Sequence, residues 1–136
     1  MTTKAWFERG RIAAKELKSI REARDVAFAA CTGATENTDK LPVQSSGNDS
    51  NAIFKYLKLS DRYNAKMKET LDIWGEIETV IEQIDNVGYR VLLRERYIVA
   101  KSWGDIAADN HYEQRYLFEV HGKALLAAAD KIPQQN

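Results

Sequence analysis

One cysteine and two prolines stand in a chain of 136 residues, and each scarcity excludes something. The lone Cys31 cannot close an internal disulfide, which points to a reducing, cytoplasmic compartment. No histidine or basic group brackets it, so thiol chemistry is not expected there. Few prolines leave long stretches free to run as helix. No apolar run approaches the roughly 20 residues that span a bilayer, so no membrane partner is expected. The N-terminal MTTKAWFERGR also lacks the apolar centre of a secretory leader. Net charge is missing too, with 20 basic residues against 20 acidic ones. The whole chain therefore exerts no bulk pull on a polyanion.

What is present is helix-forming. Leu, Ile, Ala, Glu, Lys and Arg dominate, while β-strand alternation and Asn-Gly turns are absent, which favours an all-α chain. Residues 3–31 carry Trp6, Ala13, Leu17, Ile20, Ala27 and Phe28 on one helical face, and Thr32-Gly33 supplies a stop. From 32 to 51 Gly, Ser, Asn, Asp and Pro take over, and this stretch reads as a disordered loop. Residues 52–86 then restore the three-four spacing through Ile53, Tyr56, Ser60, Tyr63, Met67, Thr70 or Leu71, Trp74, Ile77, Ile81 and Ile84. Such a stripe suits lengthwise packing, so 1–86 is expected to be an antiparallel helical hairpin whose remaining apolar face meets another subunit, as a homo-oligomer or partner contact, or the C-terminal unit.

The segment 87–136 has a different layout. A helix over about 87–99 has Val91, Leu92, Tyr97 and Ile98 as core candidates. Ser102 is placed to cap a second short helix, with Asp105 three residues on and Ile106 and Ala107 facing inward. A turn at 110–112 leads to a third helix from about Glu113, with Tyr116 or Leu117, Val120, Ala124 and Leu125 inward. This is a helix-turn-helix. The expected fold is thus all-α, a long antiparallel, coiled-coil-like helical hairpin followed by a C-terminal helix-turn-helix.

In such a unit the start of the last helix enters the major groove of double-stranded DNA. Gln114 and Arg115 stand there, and each can grip a base edge with two hydrogen bonds. Phe118 can meet a thymine methyl group, while Lys101, Ser102 and Lys123 are placed for the backbone. Glu113 and Glu119 oppose phosphate from the same face. By segment, 87–136 holds seven basic and six acidic residues, and 1–31 holds seven basic and four acidic. The competing reading is a protein-protein interaction module whose helix-turn-helix is a scaffold.

Chemistry of other kinds finds no support. His111 and His121 lack Cys or carboxylate neighbours at ligand spacing, so no metal or other cofactor is expected. There is no Ser-His-Asp or Cys-His arrangement, glycine-rich phosphate loop or HExxH motif, and Glu76 and Glu78 cannot share a helix face. An enzyme is not expected.

The residues RERYIVAKSWGDIA and HYEQRYLFEVHGKALL resemble region 4 of bacterial sigma factors. The form is that of the RinA- and ArpU-like late-gene regulators of phages and prophages. Arg96-Tyr97, Lys101-Ser102-Trp103, Asp105-Ile106-Ala107, Tyr112, His121-Gly122 and Ala124-Leu125 carry the likeness. The resemblance implies a transcriptional regulator in a bacterial host cell, acting at a phage or prophage promoter with RNA polymerase as a further partner. It places Gln114, Arg115 and Phe118 at the matching exposed positions. The chain departs from the pattern at Asn110, usually apolar, at His111, usually Gly, and at Glu113, usually a Ser or Thr cap. A His at that turn must adopt the left-handed conformation that Gly takes freely.

Overall fold

The structure, a computed structural model, describes residues 1–33 and 46–133, with side chains described for all of these except 46–50. Among them run α1 (Thr3–Thr32), α2 (Ser46–Ile81), α3 (Val87–Tyr97), α4 (Trp103–Asn110) and α5 (Gln114–Ala128), followed by a 3-10 turn at Ala129–Lys131. No strand occurs among the described residues. The architecture is all-α, an antiparallel helical hairpin followed by a helix-turn-helix. No described helix is long and apolar enough to cross a membrane.

α1 stops where expected: Gly33, one residue past its end, has φ +70°. α2 differs at both ends. It begins at Ser46 rather than 52, because a polar opening turn carries no apolar spacing for periodicity to register. The remainder of the expected loop, 34–45, and the disorder expected of it lie outside the described residues. α2 ends at Ile81, and the bonds Gln83 N to Val80 O and Ile84 N to Ile81 O tighten the turn that follows. Ile84 is buried nonetheless, carried inward by that turn.

Two compact units result, Met1–Lys15 with Thr70–Asn136, and Glu16–Glu69. The division does not fall at residue 86, where composition and periodicity put it. In Glu16–Glu69 the helices run antiparallel: Phe28 meets Tyr56 at 5.4 Å between ring centroids. Arg24 lies 4.4 Å over the Tyr63 ring, and Glu16 pairs with Lys66, whose ammonium lowers the Glu16 pKa. Leu17, Ile20, Arg24, Ala27 and Cys31 line the seam at alternating spacings of three and four, as in a coiled coil. Phe28, by contrast, is largely exposed.

The other unit holds the main core. Trp6 and Phe7 of α1 pack with Ile77, Val80, Ile81 and Ile84 and with Leu93, Tyr97, Ala124 and Ala128. The C-terminal stripe of α2 is therefore covered within the chain itself. Phe7 is fully buried although it lies off the stripe read from the sequence. Helices press on α1 from more than one side here, so its buried arc widens beyond a single stripe. Trp74 donates its indole N–H to the Gly10 carbonyl at 3.1 Å, Arg9 pairs with Glu76 at 2.9 Å, and the α1–α2 contact stays antiparallel. Thr70, not Leu71, is the buried member of that pair. Glu78 turns instead to Arg94, which donates to its two oxygens at 2.9 and 2.6 Å.

Candidate nucleic-acid interface

α3, α4 and α5 close on a small second core of Leu92, Ile106 and Leu117, flanked by Trp103, Ala107, Tyr112 and Val120. Of the earlier alternatives at the start of α5, Leu117 is buried and Tyr116 is half exposed. Leu93 takes the core place expected of Val91, which faces outward. α3 opens on Asn86, whose side chain accepts from Tyr89 N at 3.1 Å. α4 opens on Ser102, whose Oγ accepts from Asp105 N at 3.1 Å. Ser102 thus accepts one bond from the fold while its exposed hydroxyl keeps its own hydrogen to donate.

The turn between α4 and α5 depends on one residue. His111 sits at φ 58° and ψ 40°, its N–H turned back to Ala108 O and Ala107 O. Tyr112 N reaches Ala107 O at 2.9 Å, completing a Schellman-type stop. Ala100, in the preceding turn, also has positive φ at 67°, and no sequence signal marked it. Non-glycine residues in this region carry about 1–2 kcal/mol of strain, offset partly by the extra chain entropy that glycine loses on folding. Ala100→Gly and His111→Gly should each raise the urea midpoint, by up to about 1 kcal/mol of stability. A midpoint lowered by both would contradict the backbone conformation at these turns.

A polar clamp that sequence reading missed locks α4 onto the end of α3. Lys101 Nζ donates to Glu95 at 2.7 Å and to Asp109 at 2.8 Å, and these carboxylates raise its pKa. Asn110 Nδ2 donates to the other Glu95 oxygen at 3.0 Å and to Ile106 O at 2.8 Å. Asn110 therefore occupies its unusual position as a donor in this clamp. Apart from the one-turn bond to Ile106 O, the partners stand six, eight and fifteen residues apart across α3, the turn and α4, so nothing in the sequence flagged them.

Beside the clamp, Trp103 is held by two rings and a cation. The Arg96 guanidinium lies 4.0 Å over it, His121 meets it edge-on at 4.7 Å, and Phe118 at 5.2 Å. Arg96 also donates to Lys101 O at 3.0 Å. His121 is buried and shares a 2.7 Å hydrogen bond with the Tyr97 hydroxyl. Burial first, then the cations Lys4 and Arg96, depress the His121 pKa to about 4. Burial likewise pushes Tyr97 up to about 12. Both groups are neutral at pH 7 and serve as packing with a polar link.

Outward from this core, α5 presents Gln114, Arg115, Phe118 and Lys123, all exposed, together with Glu113 and Glu119. Glu113 begins the helix without a side-chain cap, which leaves the first-turn amides free of a side-chain acceptor. No family model, curated protein or solved structure matches the chain. Function has to come from the site's own chemistry.

That chemistry is uneven. Four of the seven basic residues in 87–136 are engaged within the fold: Arg90 with the Ile84 and Asp85 carbonyls, Arg94 with Glu78, Arg96 with Trp103 and Lys101 O, and Lys101 with two carboxylates. Lys131 lies 3.8 Å from Asp130. Arg115 and Lys123 make no hydrogen bond or ion pair among the described residues. Both are on α5. The sequence-expected contacts therefore separate, with Gln114, Arg115, Phe118 and Lys123 exposed on α5, Ser102 capping α4 with its hydroxyl still exposed, and Lys101 occupied by Glu95 and Asp109.

Proposed function

We propose that this chain is a DNA-binding transcriptional regulator, with α5 of the helix-turn-helix read into the major groove. The observation that carries this reading is the distribution of uncommitted cations. The fold consumes most of the basic side chains of 87–136, yet Arg115 and Lys123 are left on the exposed face of the last helix. Arg115 and Gln114, in its first turn, suit two-pronged contacts to guanine and adenine edges. Phe118 adds an apolar contact, and the first-turn amides suit a phosphate oxygen. The resemblance to sigma factor region 4 supports a phage or prophage promoter as the site, and RNA polymerase as a second partner.

With so few free cations the unit should neutralise only two or three phosphates. The affinity should then fall with salt at a log-log slope of about −2 to −3. Anisotropy titrations with DNA upstream of the neighbouring operon, at several salt concentrations, measure this directly. Arg115→Ala and Gln114→Ala should each weaken binding about 10-fold or more, as lost base contacts do. Lys101→Ala should leave the salt slope unchanged, because its ammonium is already neutralised by Glu95 and Asp109. Absence of binding at low salt sinks the reading; binding that ignores both α5 substitutions sinks the contact residues. In the first case the second reading stands, a protein-protein interaction module. The half-exposed rings of Tyr116 and Phe118, beside Glu113 and Glu119, favour that alternative.

A further inference from the structure

We propose that Trp103 is a positioning residue, which holds the Phe118 ring ready for a thymine methyl group and so gives α5 part of its base preference. This rests on the DNA reading above and names the residue through which one of its contacts is set. On an open helix face a phenylalanine ring turns between rotamers, and fixing it on binding costs entropy. Phe118 is half exposed and lies outside the arc of Leu117, His121, Ala124 and Ala128 that faces the core. Trp103 meets its ring edge-on, at 5.2 Å between centroids and 88° between planes. That edge-to-face contact selects one orientation of the ring before any DNA arrives.

Trp103 can do this because it is itself held. It opens α4 directly after the Ser102 cap, which fixes its backbone. The Arg96 guanidinium lies 4.0 Å over the indole, and is buried and tied to Lys101 O at 3.0 Å. His121 meets the indole at 4.7 Å and is tied in turn to the Tyr97 hydroxyl at 2.7 Å. Buried groups of α3 and α5 thus back the indole, and the exposed Phe118 leans on it from outside.

The approach to the ring is open as well. Gly122, one turn after Phe118 on α5, adds no side chain, and a Cβ placed there would meet nothing within 4 Å. A ring fixed in place and open on one side can tell thymine from the same base without its methyl group, whereas a mobile ring gains less from that contact.

The test compares duplexes that differ by one methyl group. Uracil replaces thymine, one position at a time, in the DNA upstream of the neighbouring operon, and the full chain is titrated against each by anisotropy. At the thymine that Phe118 meets, uracil should weaken binding about 3- to 4-fold, the worth of one buried methyl group. Phe118→Ala should abolish that ratio. Trp103→Leu should abolish it too, while keeping the roughly 10-fold cost of Arg115→Ala, which a collapsed fold would erase. Trp103→Phe keeps a ring and is milder for the fold, and it should retain only part of the ratio. A native chain that binds thymine and uracil duplexes alike overturns the proposal and leaves the DNA reading standing. One that binds neither at low salt sinks both. Trp103 variants that weaken both duplexes equally, with the ratio intact, also overturn the proposal, because Trp103 then serves the fold alone.

Discussion

Gly10→Ala is expected to lower stability by about 3 kcal/mol, although it replaces a helical glycine with the best helix former. In an open helix this substitution should gain up to ~1 kcal/mol. At residue 10 an added Cβ would stand 2.3 Å from the Tyr97 carbonyl oxygen and 2.7 Å from Ile77 Cδ1. The carbonyl is backbone at the end of α3 and cannot rotate aside. Ile77 is fully buried, so its methyl has no free space to enter. Helix α1 would have to move off α3, and the Trp6–Phe7 packing against Tyr97 would open with it. Gly75→Ala is the matched control, since a Cβ there meets nothing within 4 Å, and it should stabilise modestly. Urea denaturation of both variants decides the matter. A Gly10→Ala protein as stable as Gly75→Ala would mean that α1 and α3 do not touch as described.

Acidification should remove about 3 kcal/mol of stability through His121 alone. An exposed histidine in the unfolded chain titrates near 6.5, whereas His121 in the fold is held at about 4 by burial, Lys4 and Arg96, opposed only by Glu8. Above pH 6.5 both states carry a neutral ring, and the contribution is fully present. Between 6.5 and 4 the unfolded chain binds a proton that the folded chain refuses, so stability falls as pH falls. Below 4 both states are protonated and the loss levels off. His121→Gln removes the titration but keeps an acceptor for Tyr97, so it should cost about 1 kcal/mol at pH 7. Its stability should then cross that of the native chain near pH ~6 and exceed it by about 2 kcal/mol at pH ~4. A difference between the two proteins that stays constant from pH 7 to 4 would refute the buried neutral ring. Because His121 and Phe118 both touch Trp103, the same acidification should disturb the proposed DNA-contact face.

The candidate site was legible in the sequence to the extent that its features are local. Ser102 caps α4 by a bond spanning three residues, and the left-handed turn at His111 follows from its place between two short helices. The exposed run of Gln114, Arg115, Phe118 and Lys123 follows from the period of α5 once Leu117 and Ala124 point inward. Lys101 shows where such reasoning stops. Its position beside the cap suggested a phosphate contact, but its charge is taken up by Glu95 and Asp109, six residues back and eight ahead.

Helix existence, the antiparallel pairing of the long helices and the helix-turn-helix are properties of the sequence itself, because periodicity and capping act within a few turns of chain. The tertiary structure alone decided that the core joins the start of α1 and the end of α2 to α3 and α5. It also decided that Gly10 must stay bare, that Phe7 lies inside, and that His121 loses its charge to burial. These outcomes depend on which surfaces meet across tens of residues. No repeat along the chain encodes such distances, and only the packed chain shows which side chains fill a common volume.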